Sequence, residues 1–193
     1  MQAIPTPILD FWFGPSTDPA HTRSRPQWFR KDATFDAEIA ARFGPLIDEA
    51  LAGGLQDWTA TAVGTLALIL VLDQFTRNTG RNTPRAFAGD PRALSLAKSL
   101  VASGADRTLT GVQRQFVYLP FEHAESLADQ DESVRLFAQL GRDEPALSGL
   151  LEWAERHRVI VAMFGRFPHR NVALGRPSTS EETGFLQQPG SGF

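Results

Sequence analysis

Apolar residues recur along the chain at helical spacing, and strand-like alternation is nearly absent. Ile8, Leu9, Phe11, Trp12 and Phe13 predict a first short helix, capped at Thr6 with Pro7 at its first position and stopped by Gly14-Pro15. After a Pro- and Arg-bearing connection over 15–31, Phe35, Ile39, Phe43, Leu46, Ile47 and Leu51 keep steps of three and four. Gly44-Pro45 is expected to kink or split that helix, and Gly53-Gly54 to end it. Thr59 is placed to cap a helix over about 60–76, whose stretch from Leu66 to Leu72 is apolar all round, the mark of a helix surrounded by others. A polar loop over 77–89 follows. Asp90-Pro91 reads as a cap and first position, opening a helix through Ala93, Leu94, Ala97, Leu100 and Val101 to Gly104. Thr110 starts another, limited by Pro120. Ser126-x-x-Asp129 resembles a capping box with Asp in place of Glu and opens a helix to Gly141. Pro145 opens the last long helix, to about Phe164, and Ser178 to Phe185 add a closing turn or two. The pattern predicts an all-α protein of seven to eight helices around a central apolar helix. One domain covers 1–186, and the tail 187–193 is expected to fray.

Composition narrows the function classes. The chain has 193 residues, 42% of them hydrophobic, enough for a full core without staples. It has no cysteine, so disulfides, thiolate nucleophiles and iron–sulfur clusters are excluded. A net charge of −3 speaks against nucleic acid as a partner. The apolar run around Leu66–Leu72 is too short and too diluted by Thr59, Thr61, Gly64 and Thr65 to span a membrane, which takes about 20 apolar residues. No Lys or Arg precedes the apolar patch at the N-terminus, and Pro5 and Pro7 interrupt it, so no export signal is read and a cytoplasmic location is expected. The sequence holds no G-x-S-x-G elbow, no P-loop, no G-x-G-x-x-G and no H-E-x-x-H. Neither a cofactor nor a metal is expected, and the oligomeric state is left open.

Three polar segments exceed what a plain bundle needs. Asp73-Gln74-Phe75-Thr76-Arg77-Asn78 ends the apolar helix. Asp73 continues its buried face against the negative end of the helix dipole, so it needs a partner, and Arg77 is four residues on. Glu122-His123-Ala124-Glu125 sets two carboxylates around one imidazole, the pairing that fixes a tautomer and raises basicity. Phe164-Gly165-Arg166-Phe167-Pro168-His169-Arg170-Asn171 carries Arg forks on a Gly/Pro-shaped turn. Residues 118–144 hold seven acids and two Arg, whereas 153–176 hold five Arg and one acid, so the two blocks are expected to face each other. His157 lies on the apolar stripe of the last long helix and needs a buried hydrogen-bond partner; Glu122, Glu125 or Asp73 would serve. Each segment also has a purely structural reading, as a staple, a polar loop or a salt-bridged turn.

These segments, together with Phe11-Trp12-Phe13-Gly14, Trp28-Phe29 and Tyr118-Leu119-Pro120-Phe121, resemble the bacterial domain-of-unknown-function family nine-two-four from about residue 7 to 186. Thr76 stands where that family's pattern commonly has Pro, and Ala124 where it tends to have Ser. The resemblance implies an all-α fold of TPR-like antiparallel helix pairs and implies no established activity.

Two functional readings follow. In the first, helix ends converge on a polar pocket for a small anionic molecule. Asp73, Arg77, His157, Arg166, His169 and Arg170 would line it, Arg166 and Arg170 would grip the anion, and His123, oriented by Glu122 or Glu125, would act as base if chemistry occurs. In the alternative, a TPR-like module binds a protein or peptide through Trp12, Phe13, Trp28 and Phe29, and the polar cluster is purely structural. A metal enzyme built on His123, His157, His169 and a Glu is a weaker third option, because the spacing matches no metal motif.

Overall fold

The computed structural model describes residues 4–21 and 23–192. Residues 1–3 of the N-terminal stretch and Phe193 of the predicted tail lie outside them. The helices are α1 (Thr6–Phe13), α2 (Ala33–Leu51), α3 (Ala62–Ile69), α4 (Thr76–Thr79), α5 (Asp90–Ser103), α6 (Gly111–Glu122), α7 (Leu127–Asp143), α8 (Leu150–Phe164) and α9 (Ser180–Leu186). A π-helical segment, Leu70–Phe75, joins α3 to α4, and short 3₁₀ turns fill several connections, among them Pro84–Phe87 and Pro168–Arg170. Among the described residues there is no strand, so the chain is all-α as its periodicity predicts.

Side-chain caps open α2, α3, α6, α7 and α9, whereas α1 starts without one at the predicted Thr6. Asp32 accepts from the Thr34 and Phe35 amides to open α2. Thr61, not Thr59, caps α3 through the Gly64 amide at 3.0 Å, because Thr59 is drawn into the preceding 3₁₀ turn. Thr110 and Gln113 form a reciprocal capping box at α6. Ser126 caps α7, but Asp129 does not return the bond; it pairs with Lys98 instead. Neither proline splits or ends its helix. Pro45 lies inside α2 and Pro120 inside α6, where packing outweighs the lost N–H.

The core gathers Trp12, Phe13, Trp28, Phe75 and Phe116, with the Trp28 and Phe116 rings edge to face at 4.9 Å. The segment Leu66–Leu72 is buried on every side. So is all of α6, despite Gln113, Arg114 and Gln115. Arg114 is satisfied there: its Nε donates to the Tyr118 hydroxyl at 3.0 Å, and that hydroxyl donates to Asp106 at 2.6 Å. The fold therefore has two central helices where the pattern predicts one. α7 packs on α6 and α8 on α7, in chain order. A smaller apolar cluster of Ile160, Val161 and Phe167 lies under α9. No helix among the described residues is long and apolar enough to cross a membrane.

Candidate functional site

The end of the apolar helix is not α-helical where the polar groups begin. The π-helical segment spans Leu70–Phe75 and carries Asp73 and Gln74; π-turns recur at functional sites because they re-aim side chains within a helix. Extra donors fill the segment's carbonyls: Thr76 Oγ1 bonds to Leu72 O at 2.7 Å, and Arg77 Nη1 to Asp73 O at 2.9 Å. The start of α5 is pressed onto this segment at Gly89, where a Cβ would sit 2.1 Å from Leu72 O. Only glycine permits that approach, and it brings Asp90 against Arg77. At the end of α6, Gln130 Nε2 donates to Glu122 O at 2.6 Å and Ala124 O at 2.8 Å. Arg170 Nη2 donates to His123 O at 3.0 Å. These bonds satisfy orphan helix-end carbonyls and hold Glu122 and His123 in place.

The three polar segments meet. Asp73 Oδ1 lies 2.7 Å from His123 Nδ1 and 2.9 Å from Arg77 Nη1, and Gln74 donates to its other oxygen at 2.6 Å. Burial opposes charge on Asp73, but Arg77 and His123 outweigh it and hold its pKa well below the usual carboxylate range. An ionised carboxylate only accepts, so His123 carries its proton on Nδ1 and leaves a lone pair on Nε2. His123 retains 14% side-chain exposure, against 1% for Asp73. Burial and the Arg77 charge together push the His123 pKa below its ordinary value despite Asp73. Arg77 closes a two-armed fork on Asp90, at 2.8 and 3.0 Å. Arg170 reaches the same carboxylate at 3.3 Å, and its guanidinium lies 4.7 and 4.5 Å from the Phe87 and Phe167 ring centroids. Burial lowers the Arg170 pKa to about 10.

Behind His123 sits a second imidazole, His157, with ring centroids 6.2 Å apart. Its Nδ1–H points to Trp153 O at 2.8 Å, and Glu122 Oε1 lies 3.2 Å from the same nitrogen. Burial, with the Asp73 charge nearby, raises the Glu122 pKa to about 8, so this carboxyl is protonated at neutral pH. Burial holds His157 neutral, with a pKa of about 3.

The structure sorts the sequence-derived candidates. Asp73, Arg77, Glu122, His123, His157 and Arg170 are brought together. His169 borders them through the Phe167 ring, 5.6 Å from its own. Arg166 does not join: its fork is closed on Glu182 at 2.6 and 2.8 Å, where it secures α9. Arg170, by contrast, is held against the Phe87 and Phe167 rings beside the cluster. His123 is oriented by Asp73 and not by Glu122 or Glu125; Glu125 is taken by Arg176 at 2.6 and 2.8 Å and by the Phe167 amide. The acidic and basic blocks do face each other, through Glu125–Arg176 and Asp131–Arg158. Two members escaped the sequence reading. Asp90 looks like a helix cap, yet it makes no capping bond and bridges two arginines. Phe87 lies in what reads as a loop. The signal for Asp90 was the unspent cation count at Arg77 and Arg170.

Among the described residues no group of three or more His, Asp or Glu has the arrangement to hold a metal ion. The class that fold and site define is an all-α protein with a buried, charge-balanced acid–imidazole–guanidinium cluster. The chain belongs to the family of bacterial proteins of unknown function (DUF924), whose model matches residues 8–190. It is also similar to the solved structure of a protein of unknown function from Agrobacterium tumefaciens, at 39% identity over 95% of this chain and 96% of that one, with a TM-score of 0.82. No curated protein matches the chain.

Proposed function

We propose that the chain binds a small anionic molecule beside the Asp73–His123 dyad and that His123 serves there as a proton acceptor. One observation carries this reading: a fully buried carboxylate fixes Nδ1 of an imidazole at 2.7 Å, while that imidazole keeps solvent exposure and a bare Nε2. A purely structural histidine has no need of an open nitrogen. The guanidiniums of Arg77 and Arg170 lie beside the dyad, and Phe87 and Phe167 keep Arg170 in place. The interaction-module alternative has weaker support, because Trp12, Phe13 and Trp28 fill the core and Phe29 alone of its four anchors is exposed, at 57%. The TPR-like likeness applies best to the consecutive packing of α6, α7 and α8. Thermal-shift screening against small carboxylates and phosphate esters tests the proposal. At least one should raise the midpoint of the wild type and not that of His123→Asn. Equal responses from both proteins, or none from either, would reject it.

A further inference from the structure

Five residues at this junction close a ring of hydrogen bonds that begins and ends on His123. Its Nδ1–H donates to Asp73 at 2.7 Å, and Arg77 joins Asp73 at 2.9 Å. Arg77 then forks onto Asp90 at 2.8 and 3.0 Å, Arg170 reaches Asp90 at 3.3 Å, and Arg170 Nη2 returns to His123 O at 3.0 Å. The ring holds two guanidiniums and two carboxylates, whose formal charges cancel. The two acids are not equivalent. Asp73 has 1% side-chain exposure and is held by His123, Arg77 and Gln74. Asp90 keeps 20% exposure, and among the described residues its side chain bonds to the two guanidiniums alone. It gives Arg77 a close fork but Arg170 one long contact, and the buried Arg170 Nε has no hydrogen-bond partner among those residues. Asp90 also has another place to go. It is the first residue of α5, whose cap position, Gly89, offers no side-chain acceptor to the helix amides. A carboxylate turned toward those amides gains from the helix dipole. The main chain stays fixed, because Gly89 is pressed onto Leu72 O and Pro91 follows, so the motion is confined to the Asp90 side chain.

We infer that Asp90 is a built-in counter-anion, a latch that fills the convergence of Arg77 and Arg170 while no ligand is bound and gives up its place to the ligand's anionic group. The inference rests on the anion reading above and specifies how that site is regulated. An anion arriving with Asp90 in place would bring an uncompensated negative charge among balanced partners. Exchange keeps the balance: one carboxylate turns out to solvent as one anionic group comes in, and no covalent bond forms or breaks. Asp73 cannot take this part, since it is enclosed and fixes the His123 ring. Exchange also serves Arg170. Its guanidinium, held between the Phe87 and Phe167 rings, gains a close anion in place of a shared and distant one. The closed latch lowers the apparent affinity by the fraction of molecules in which it is open.

Calorimetric titration of the whole chain with acetate and with inorganic phosphate tests it. Asp90→Asn and Asp90→Ala should each bind at least one of these anions about tenfold more tightly than the wild type does, because the internal competitor is gone. Adding Arg170→Gln to Asp90→Asn should remove the gain. Glu38→Gln, which takes the same charge from an exposed pair with Arg42 on α2, should bind as the wild type does. Wild-type binding with no gain in either Asp90 variant would overturn the latch and leave the anion reading standing. So would an equal gain in Glu38→Gln, or a gain that survives Arg170→Gln. Binding by the Asp90 variants but not by the wild type would make Asp90 a fixed partner, and binding by none would leave no site; each of these refutes the inference and the reading together.

Discussion

Replacing Glu122 with glutamine removes a titration that folding suppresses. The Glu122 carboxyl is raised from 4.5 to about 8, because it is buried beside the Asp73 charge. Between those two values the unfolded chain has released its proton and the folded chain has kept it. Stability therefore falls as pH rises through this window, by about 1.4 kcal/mol per unit for one proton. At pH 7 the accumulated cost is about 3 kcal/mol. The glutamine variant carries no such titration, and its amide fits the same volume. It should be more stable than the wild type at pH 7 by up to about 3 kcal/mol, with the gap shrinking toward acid. Buried histidines oppose the trend below their ordinary pKa. His157 is depressed to about 3 and His169 to about 4, with His123 also lowered, so each destabilises the fold as pH drops through about 6.5. The clean window is therefore about pH 6.5 to 8. Urea unfolding across it, on both proteins, gives the two slopes. A wild-type curve that is flat there, or a Glu122→Gln curve that runs parallel to it, would refute the protonated buried carboxyl.

The same balance predicts that wild-type stability peaks near about pH 6.5, which a set of thermal melts between acid and alkaline pH would show or deny. Asp73→Ala leaves Arg77 and His123 without their shared buried partner and should cost about 3 kcal/mol or more in chemical denaturation; a loss under about 1 kcal/mol would mean the dyad is not formed. Gly89→Ala drives a methyl into the Leu72 carbonyl and should cost about 1–3 kcal/mol, visible as a lower melting point. Arg166→Ala loosens α9 and should raise proteolysis at the C-terminus, yet leave the anion-induced thermal shift intact; loss of that shift would return Arg166 to the site.

Helices were the most legible part of the fold, because period and caps are local. Leu66–Leu72 announced a surrounded helix by having no polar face. Burial of α6 was hidden, since Arg114 and Gln115 look like solvent-facing residues until Tyr118, Asp106 and Asp143 are seen to satisfy the arginine. The π-helical turn has no sequence signature of its own. Convergence of Asp73, His123 and Arg170 was foreseeable from unpaired charge near helix ends. Which carboxylate serves which imidazole was not, because Glu122 and Glu125 flank His123 in sequence while Asp73 reaches it from fifty residues away. Asp90 was misread for a related reason. Asp before Pro is a strong capping signal, and only the close approach at Gly89 reveals its different use.

The most direct measurement is the tautomer and titration of His123, read from long-range proton–nitrogen correlation spectra of the folded protein and assigned with His123→Asn. The account predicts a protonated Nδ1, an unprotonated Nε2 exposed to solvent, and a pKa below the ordinary histidine value. A proton on Nε2, or an imidazole that stays charged above neutral pH, would contradict it.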